Sequence, residues 1–260
     1  MNARTFLVRG LLAGLVAGLV AFALASFIGE PSIRTSIAIE ESAGGAAHPH
    51  GPETSGHSHD AEETVVSRQD QSTWGLLTAT VVLGTALGGI VALASAAAVG
   101  RLGRLRPGAS TVVVTLLGFV AFCVVPYAKY PPNPPAVGEA STIGARTAGY
   151  FGYTALAILG VVLAVVAARR LASRWSVFPA VVLPVVGFVV AMTALGFALP
   201  PGDQIPSSFP AETLWEFRTA SFVVQAGLWA VLAVVLGGSI DKADRDLTVR
   251  RERRDLIAAP

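Results

Sequence analysis

The chain has 260 residues, 53% of them hydrophobic and only 14% charged, with a formal net charge of +2. Soluble domains carry about 25% charged residues, so a water-solvated surface around a core of ordinary size is excluded. A single cysteine, Cys123, excludes an intrachain disulfide.

Six apolar segments follow one another: Phe6–Ile28, Trp74–Val99, Ser110–Pro126, Tyr150–Ala168, Val177–Leu199 and Thr219–Ile240. Each is close to the ~20 residues that span a bilayer as a helix, the one regular structure short of a closed barrel that satisfies its own backbone in lipid. The expected fold is an all-α membrane protein of six transmembrane helices arranged as three hairpins. It divides into 1–28, the first transmembrane helix; 29–73, an extracytoplasmic, flexible His/acid-rich loop; 74–240, the other five helices; and 241–260, a charged cytoplasmic tail. The first segment has Arg4, Arg9 and an Ala23-Leu24-Ala25 that resemble a cleavable signal. Its apolar run continues to Ile28, and Gly10, Gly14 and Gly18 recur at spacing four, as in a retained helix that packs closely on another. Gly84 and Gly88 in the second segment have the same spacing.

The basic residues orient the chain. Arg4, Arg9, Arg101, Arg104, Arg106, Arg169, Arg170, Arg174, Lys242, Arg245, Arg250, Arg251, Arg253 and Arg254 fall on one side, and only Arg34, Arg68, Lys129, Arg146 and Arg218 on the other. The positive-inside rule makes the first set cytoplasmic and places both termini inside. Twelve of the 17 acidic residues then lie outside, a bias that raises the local cation concentration. Trp74, Trp175, Trp215, Tyr127, Tyr130 and Tyr150 sit near helix ends, where amphipathic rings prefer to lie. Arg-Thr-Ala recurs at 146–148 and 218–220, each time opening a helix after a Pro-rich loop. That suggests a parallel hairpin repeat.

The 29–73 loop holds all four histidines, His48, His50, His57 and His59, followed by Asp60, Glu62 and Glu63. Neutral imidazoles bind Zn, Cu, Ni and Co, and carboxylates fill the remaining positions, so these seven residues are candidate metal ligands. A solvated linker with incidental histidines is the alternative. The segment Lys129-Tyr130-Pro131-Pro132-Asn133-Pro134-Pro135 cannot be helical and predicts a stiff turn, either a hairpin cap or the rim of a pathway mouth. Glu30, Lys129, Tyr130, Asn133, Arg146, Glu212, Glu216 and Arg218 are the candidates for that mouth, with Glu216 and Arg218 as possible partners. No ionisable side chain falls deep in a span. A polar seam would have to use Thr78, Cys123, Met192 or Gln225. No nucleotide-binding loop, His-Glu-x-x-His or haem-attachment motif occurs, and nothing points to an enzyme or to nucleic acid.

Phe6-Leu7-Val8-Arg9-Gly10, Gly29-Glu30-Pro31, Val66-Ser67-Arg68, Gly100-Arg101-Leu102-Gly103, Lys129 through Gly138, Thr142 through Ala148 and Phe209 through Arg218 together resemble the CbtA-type family of cobalt transporter subunits over nearly the whole chain. The resemblance implies a multi-pass protein of the bacterial inner membrane that imports cobalt for cobalamin biosynthesis. It also implies a small, single-helix CbtB-type partner besides the surrounding lipid. The reading that follows is a divalent transition-metal uptake subunit, with cobalt as its cargo and no nucleotide. Two rivals are a metal-binding scaffold that docks a partner without conducting, and a carrier of an organic cofactor precursor. Lys129, Arg146 and Arg218 would suit an anionic solute of the latter kind.

Overall fold

The computed structural model describes residues 1–45, 67–138 and 142–258. The described residues form six long helices: α1 Ala3–Ser42, α2 Arg68–Ala98, α3 Pro107–Lys129, α4 Ile143–Ala172, α5 Val177–Ala198 and α6 Ala211–Ile257. Each is long and apolar enough to cross a membrane, and among the described residues there is no strand. The fold is an all-α, six-span membrane protein.

Local chemistry sets the helix starts. Asn2 caps α1, its side-chain oxygen accepting from the Thr5 amide at 3.0 Å. Ser67 caps α2: its oxygen accepts from the Asp70 amide at 3.1 Å, and its hydroxyl donates to the Asp70 carboxylate at 2.7 Å. Both satisfy amides left without partners in a first turn. Pro107 opens α3, where its missing N–H costs nothing.

Helix extends into both ends of the segment 29–73 expected as a loop. Helix α1 does not stop at Pro31, because one wide π-helical turn at Ala25–Gly29 absorbs the proline. Proline removes a hydrogen bond and crowds the carbonyl four residues back; a π turn just before it opens that space. The Ser32 hydroxyl donates to the Gly29 carbonyl and the Ser36 hydroxyl to that of Ser32, at 2.9 and 2.8 Å, and both serines are buried. Helix α3 repeats the device, with a π turn at Val120–Val124 just ahead of Pro126 that carries the helix on to Lys129. At 40 residues, α1 is about 60 Å long, roughly twice the hydrocarbon thickness, so it extends beyond the bilayer. Residues 241–257, expected as a tail, continue α6 as helix, with an Arg245–Asp241 pair at 3.3 Å.

Helices α1, α2, α3 and α6 form the main bundle. Leu228, Trp229, Leu232, Leu236 and Ile240 of α6 are buried with Phe6, Ala13, Ala17 and Ala21 of α1 and with Val91 and Ala92 of α2. The two glycine series do what their spacing predicts: α1 and α2 meet backbone to backbone. A Cβ added at Gly14 would lie 2.2 Å from the Gly84 carbonyl oxygen, and one at Gly88 would lie 2.2 Å from that of Gly10. Close approach through small residues is how helices associate where lipid is as apolar as leucine. Helices α4 and α5 pair with each other. Their smaller core, with Tyr153, Ala157 and Met192, meets the main bundle at Ala121 of α3. Among its buried residues α5 has only Ala180, Pro184 and Met192.

Candidate functional site: two cavities at the Pro-rich end

The Pro-rich segment following α3 is pinned by side chains from three directions. The Asn133 amide nitrogen donates to the Asp203 carboxylate at 2.9 Å, and its oxygen accepts from Arg218 Nη2 at 2.8 Å. Arg146, in the first turns of α4, pairs with the same Asp203 oxygen. Lys129 Nζ donates to the Leu199 carbonyl at 3.3 Å and the Tyr130 hydroxyl to that of Pro200 at 3.1 Å, tying the end of α3 to the end of α5. The Tyr127 hydroxyl donates to the Arg218 carbonyl at 3.0 Å. Gly138 turns the chain at φ +106°, with the Arg146–Asp203 pair so close that an added Cβ would lie 2.6 Å from an Arg146 nitrogen. Two prolines on each side of Asn133 restrict its backbone, so the amide is held where it can serve both partners.

This network borders an open cavity of about 540 Å³. Lys129, Tyr130, Asn133, Arg146, Tyr150, Asp203 and Arg218 are among its lining residues. Five of the eight residues expected at a mouth, Lys129, Tyr130, Asn133, Arg146 and Arg218, thus meet around one space. Glu212 and Glu216 are exposed and lie outside the lining. Arg218 bonds to Asn133, and no contact joins it to Glu216. Glu30 sits apart from this cavity and is 6% exposed. Arg68 Nη2 donates to both its carboxylate oxygens at 3.2 and 3.0 Å, and Arg34 lies 3.5 Å away.

A second cavity of about 440 Å³ lies between α1, α2, α3, α4 and α6, with Pro132 of the Pro-rich segment at its edge. It is lined by Ala25, Gly29, Phe122, Cys123, Tyr127, Tyr150, Ser221 and Gln225, among others. Four of these residues, Ala25 and Gly29, Phe122 and Cys123, belong to the two π turns. A π turn displaces its helix and swings side chains off the regular stripe. The two prolines thereby shape this pocket. Tyr150 lines both cavities. The Gln225 amide has no hydrogen-bond partner among the described residues. Phe122 stacks near Trp229 at 6.4 Å, and Trp229 near Phe119 at 6.2 Å, so the wall at Phe122 continues into an aromatic cluster.

Of the four residues expected along a polar seam, Cys123 and Gln225 share this cavity. Thr78 is exposed on α2 beside Trp74. Met192 is buried in the α4–α5 core, its carbonyl accepting from the Tyr153 hydroxyl at 2.9 Å. The single seam through all four is therefore not formed, because α2 turns Thr78 away from the bundle and α5 packs on α4. Elsewhere α3 buries Ser110, Thr111 and Thr115, and α2 buries Ser95. The threonine hydroxyls donate back to carbonyls four residues earlier at 2.9 Å. Those of Ser95 and Ser110 have no partner among the described residues. Sequence reasoning passed over Ser110, Thr111 and Thr115; the spacing of four between Thr111 and Thr115 was the available signal.

His48, His50, His57, His59, Asp60, Glu62 and Glu63 lie outside the described residues. Among the described residues no three His, Cys, Asp or Glu side chains gather as a metal site.

A family model described as a probable cobalt transporter subunit (CbtA) matches residues 3–241, nearly the whole chain. The chain belongs to the CbtA family. The match covers every spanning segment, both cavities and the Pro-rich network, so a CbtA-family chain carries this architecture from α1 into the inner part of α6. The family description is that of a transporter subunit, not of an enzyme. No curated protein and no solved structure matches the chain.

Proposed function

We propose that this chain is the multi-pass subunit of a divalent transition-metal uptake system in a bacterial inner membrane, with cobalt as its cargo. One observation carries the reading beyond the family: the cavity bordered by two π turns just ahead of prolines, where the Cys123 thiol of one π turn and the Gln225 amide of α6 line a common space between spanning helices. A thiol and an amide oxygen are a soft and a hard donor, a pair that a partly hydrated transition metal accepts. The His/acid segment would capture the ion outside, and a small single-helix subunit of the CbtB type would be the partner. The membrane potential favours cation entry by about 2.3 kcal/mol per charge per 100 mV, so the cargo needs no nucleotide to enter. Imported cobalt would serve cobalamin biosynthesis.

A specific observation also favours the scaffold reading, in which the chain presents metal to a partner that conducts. Among the described residues neither carboxylate nor imidazole lines the intramembrane cavity, and ionisable groups commonly mark ion routes in membranes. Radioactive cobalt accumulation separates the two, in a bacterium stripped of its own cobalt importers that expresses this chain alone and with its partner. Uptake by the chain alone, reduced by Cys123→Ala with Gln225→Leu, supports conduction. Uptake only with the partner and indifferent to those two changes supports the scaffold. None in either case, with insertion verified, removes the cobalt reading.

A further inference from the structure

The outer cavity has the wrong sign for a free cation. Three basic side chains line it, Lys129, Arg146 and Arg218, against one carboxylate among the described residues, that of Asp203. Asp203 is engaged by Arg146 and by Asn133. Among the described residues, Lys129 and Arg218 have neutral partners only: Lys129 donates to one carbonyl and Arg218 to the oxygen of Asn133. Arg218 Nε is buried and meets no acceptor among the described residues. A guanidinium held this way presents unused N–H donors in a fixed fork, and Lys129 adds a compact charge with two further donors. The first turns of α4 also border the space through Ile143, Arg146 and Thr147, near the positive end of the helix dipole. At about 540 Å³ the cavity is large enough for a small solute rather than a bare ion.

We infer that this cavity is a binding site for a small oxyanion, a phosphate or a carboxylate, held by Arg218 and Lys129. Asn133 orients the guanidinium, and the two prolines on each side of it keep the site preformed. The oxyanion is either a dissolved solute or the phosphate of a lipid headgroup in the outer leaflet. The site does not depend on metal transport and is tested without metal.

The test is isothermal titration of the full chain in metal-stripped buffer, first in phosphate-free dodecyl maltoside micelles, with inorganic phosphate and with citrate as probes. Binding of either probe is expected, weakened about tenfold or more by Lys129→Gln and by Arg218→Gln, each of which removes a charge-assisted bond. Arg218→Lys should retain part of it. Asp203→Asn should tighten it, because the site then gains positive charge; a role confined to holding the loop predicts no tightening. Repeating the titration in nanodiscs containing phosphatidylglycerol identifies the source: suppressed binding assigns a headgroup phosphate, and unchanged binding assigns a dissolved anion. Absence of binding by both probes in the phosphate-free micelles overturns the inference. So does binding that Lys129→Gln and Arg218→Gln leave intact in folded protein.

Discussion

Replacing Gly14 with alanine would push a methyl carbon to 2.2 Å from the Gly84 carbonyl oxygen and 2.9 Å from the Thr85 Cα. Ordinary van der Waals contact for a Cβ begins near 3.4 Å, so the two backbones would have to part locally by roughly 1.2 Å. Neither obstacle is the end of a flexible side chain, and rotation cannot relieve the clash. A radial gap of 0.5–1 Å already forfeits about a quarter to a half of each contact's well depth. The α1–α2 contact is built from such contacts, and overpacking a tight interface costs about 1–3 kcal/mol. Helix propensity opposes this by about 0.8–1 kcal/mol in favour of alanine, so the net loss should be about 0–2 kcal/mol. Gly187, in α5, is the internal control, because nothing lies within 4 Å of the position its Cβ would occupy. There the propensity term acts alone, and Gly187→Ala should be neutral or stabilising by up to about 1 kcal/mol. Unfolding of the purified protein by titrated SDS in mixed micelles, followed by near-ultraviolet circular dichroism, would measure both. Equal stability for Gly14→Ala and Gly187→Ala would refute the close α1–α2 contact as a stabilising feature.

Three further outcomes are expected. Glu30→Ala would leave Arg68 without its carboxylate; because Arg68 is part-exposed and screened, the loss should be about 1–2 kcal/mol, read by the same SDS titration. Restoration by Arg68→Leu in the Glu30→Ala background would show that the unpaired charge was the cause. Gly138→Ala meets both a positive φ and the Arg146 side chain. It should destabilise by about 1–3 kcal/mol and raise the rate of limited proteolysis in the Pro-rich segment, whereas Gly144→Ala, with open space around it, should do neither. Changing His48, His50, His57 and His59 together to alanine should reduce cobalt accumulation at submicromolar cobalt more than at saturating cobalt, because a capture segment raises local concentration without forming the pathway; equal reduction at both would place the histidines in the pathway itself.

Much of the architecture was legible in the sequence because lipid imposes one rule on every spanning segment. A run of about 20 apolar residues must be a helix. The glycine series were legible for a similar reason, since a spacing of four puts Gly10, Gly14 and Gly18 on one face of α1 wherever that helix packs. The Pro-rich segment announced a stiff, non-helical turn through its missing amides. What composition could not give was how the chain passes Pro31 and Pro126. Whether a proline ends a helix or is absorbed by a π turn depends on what packs beyond it. In α1 the continuation is held by buried Ser32 and Ser36 and by the Glu30–Arg68 pair. Only the tertiary structure brought Asp203 and Arg218 to the same asparagine, from 70 and 85 residues away in sequence, and Arg146 to that aspartate across 57. It likewise separated Thr78 and Met192 from Cys123 and Gln225. The sequence by itself determined the number of spans, their helical nature and the residues available at their ends, because those follow from local hydrophobicity and backbone chemistry. Which of those residues share a cavity, and with what net charge, is set by the crossing and rotation of helices about one another, a long-range packing outcome that no local pattern encodes.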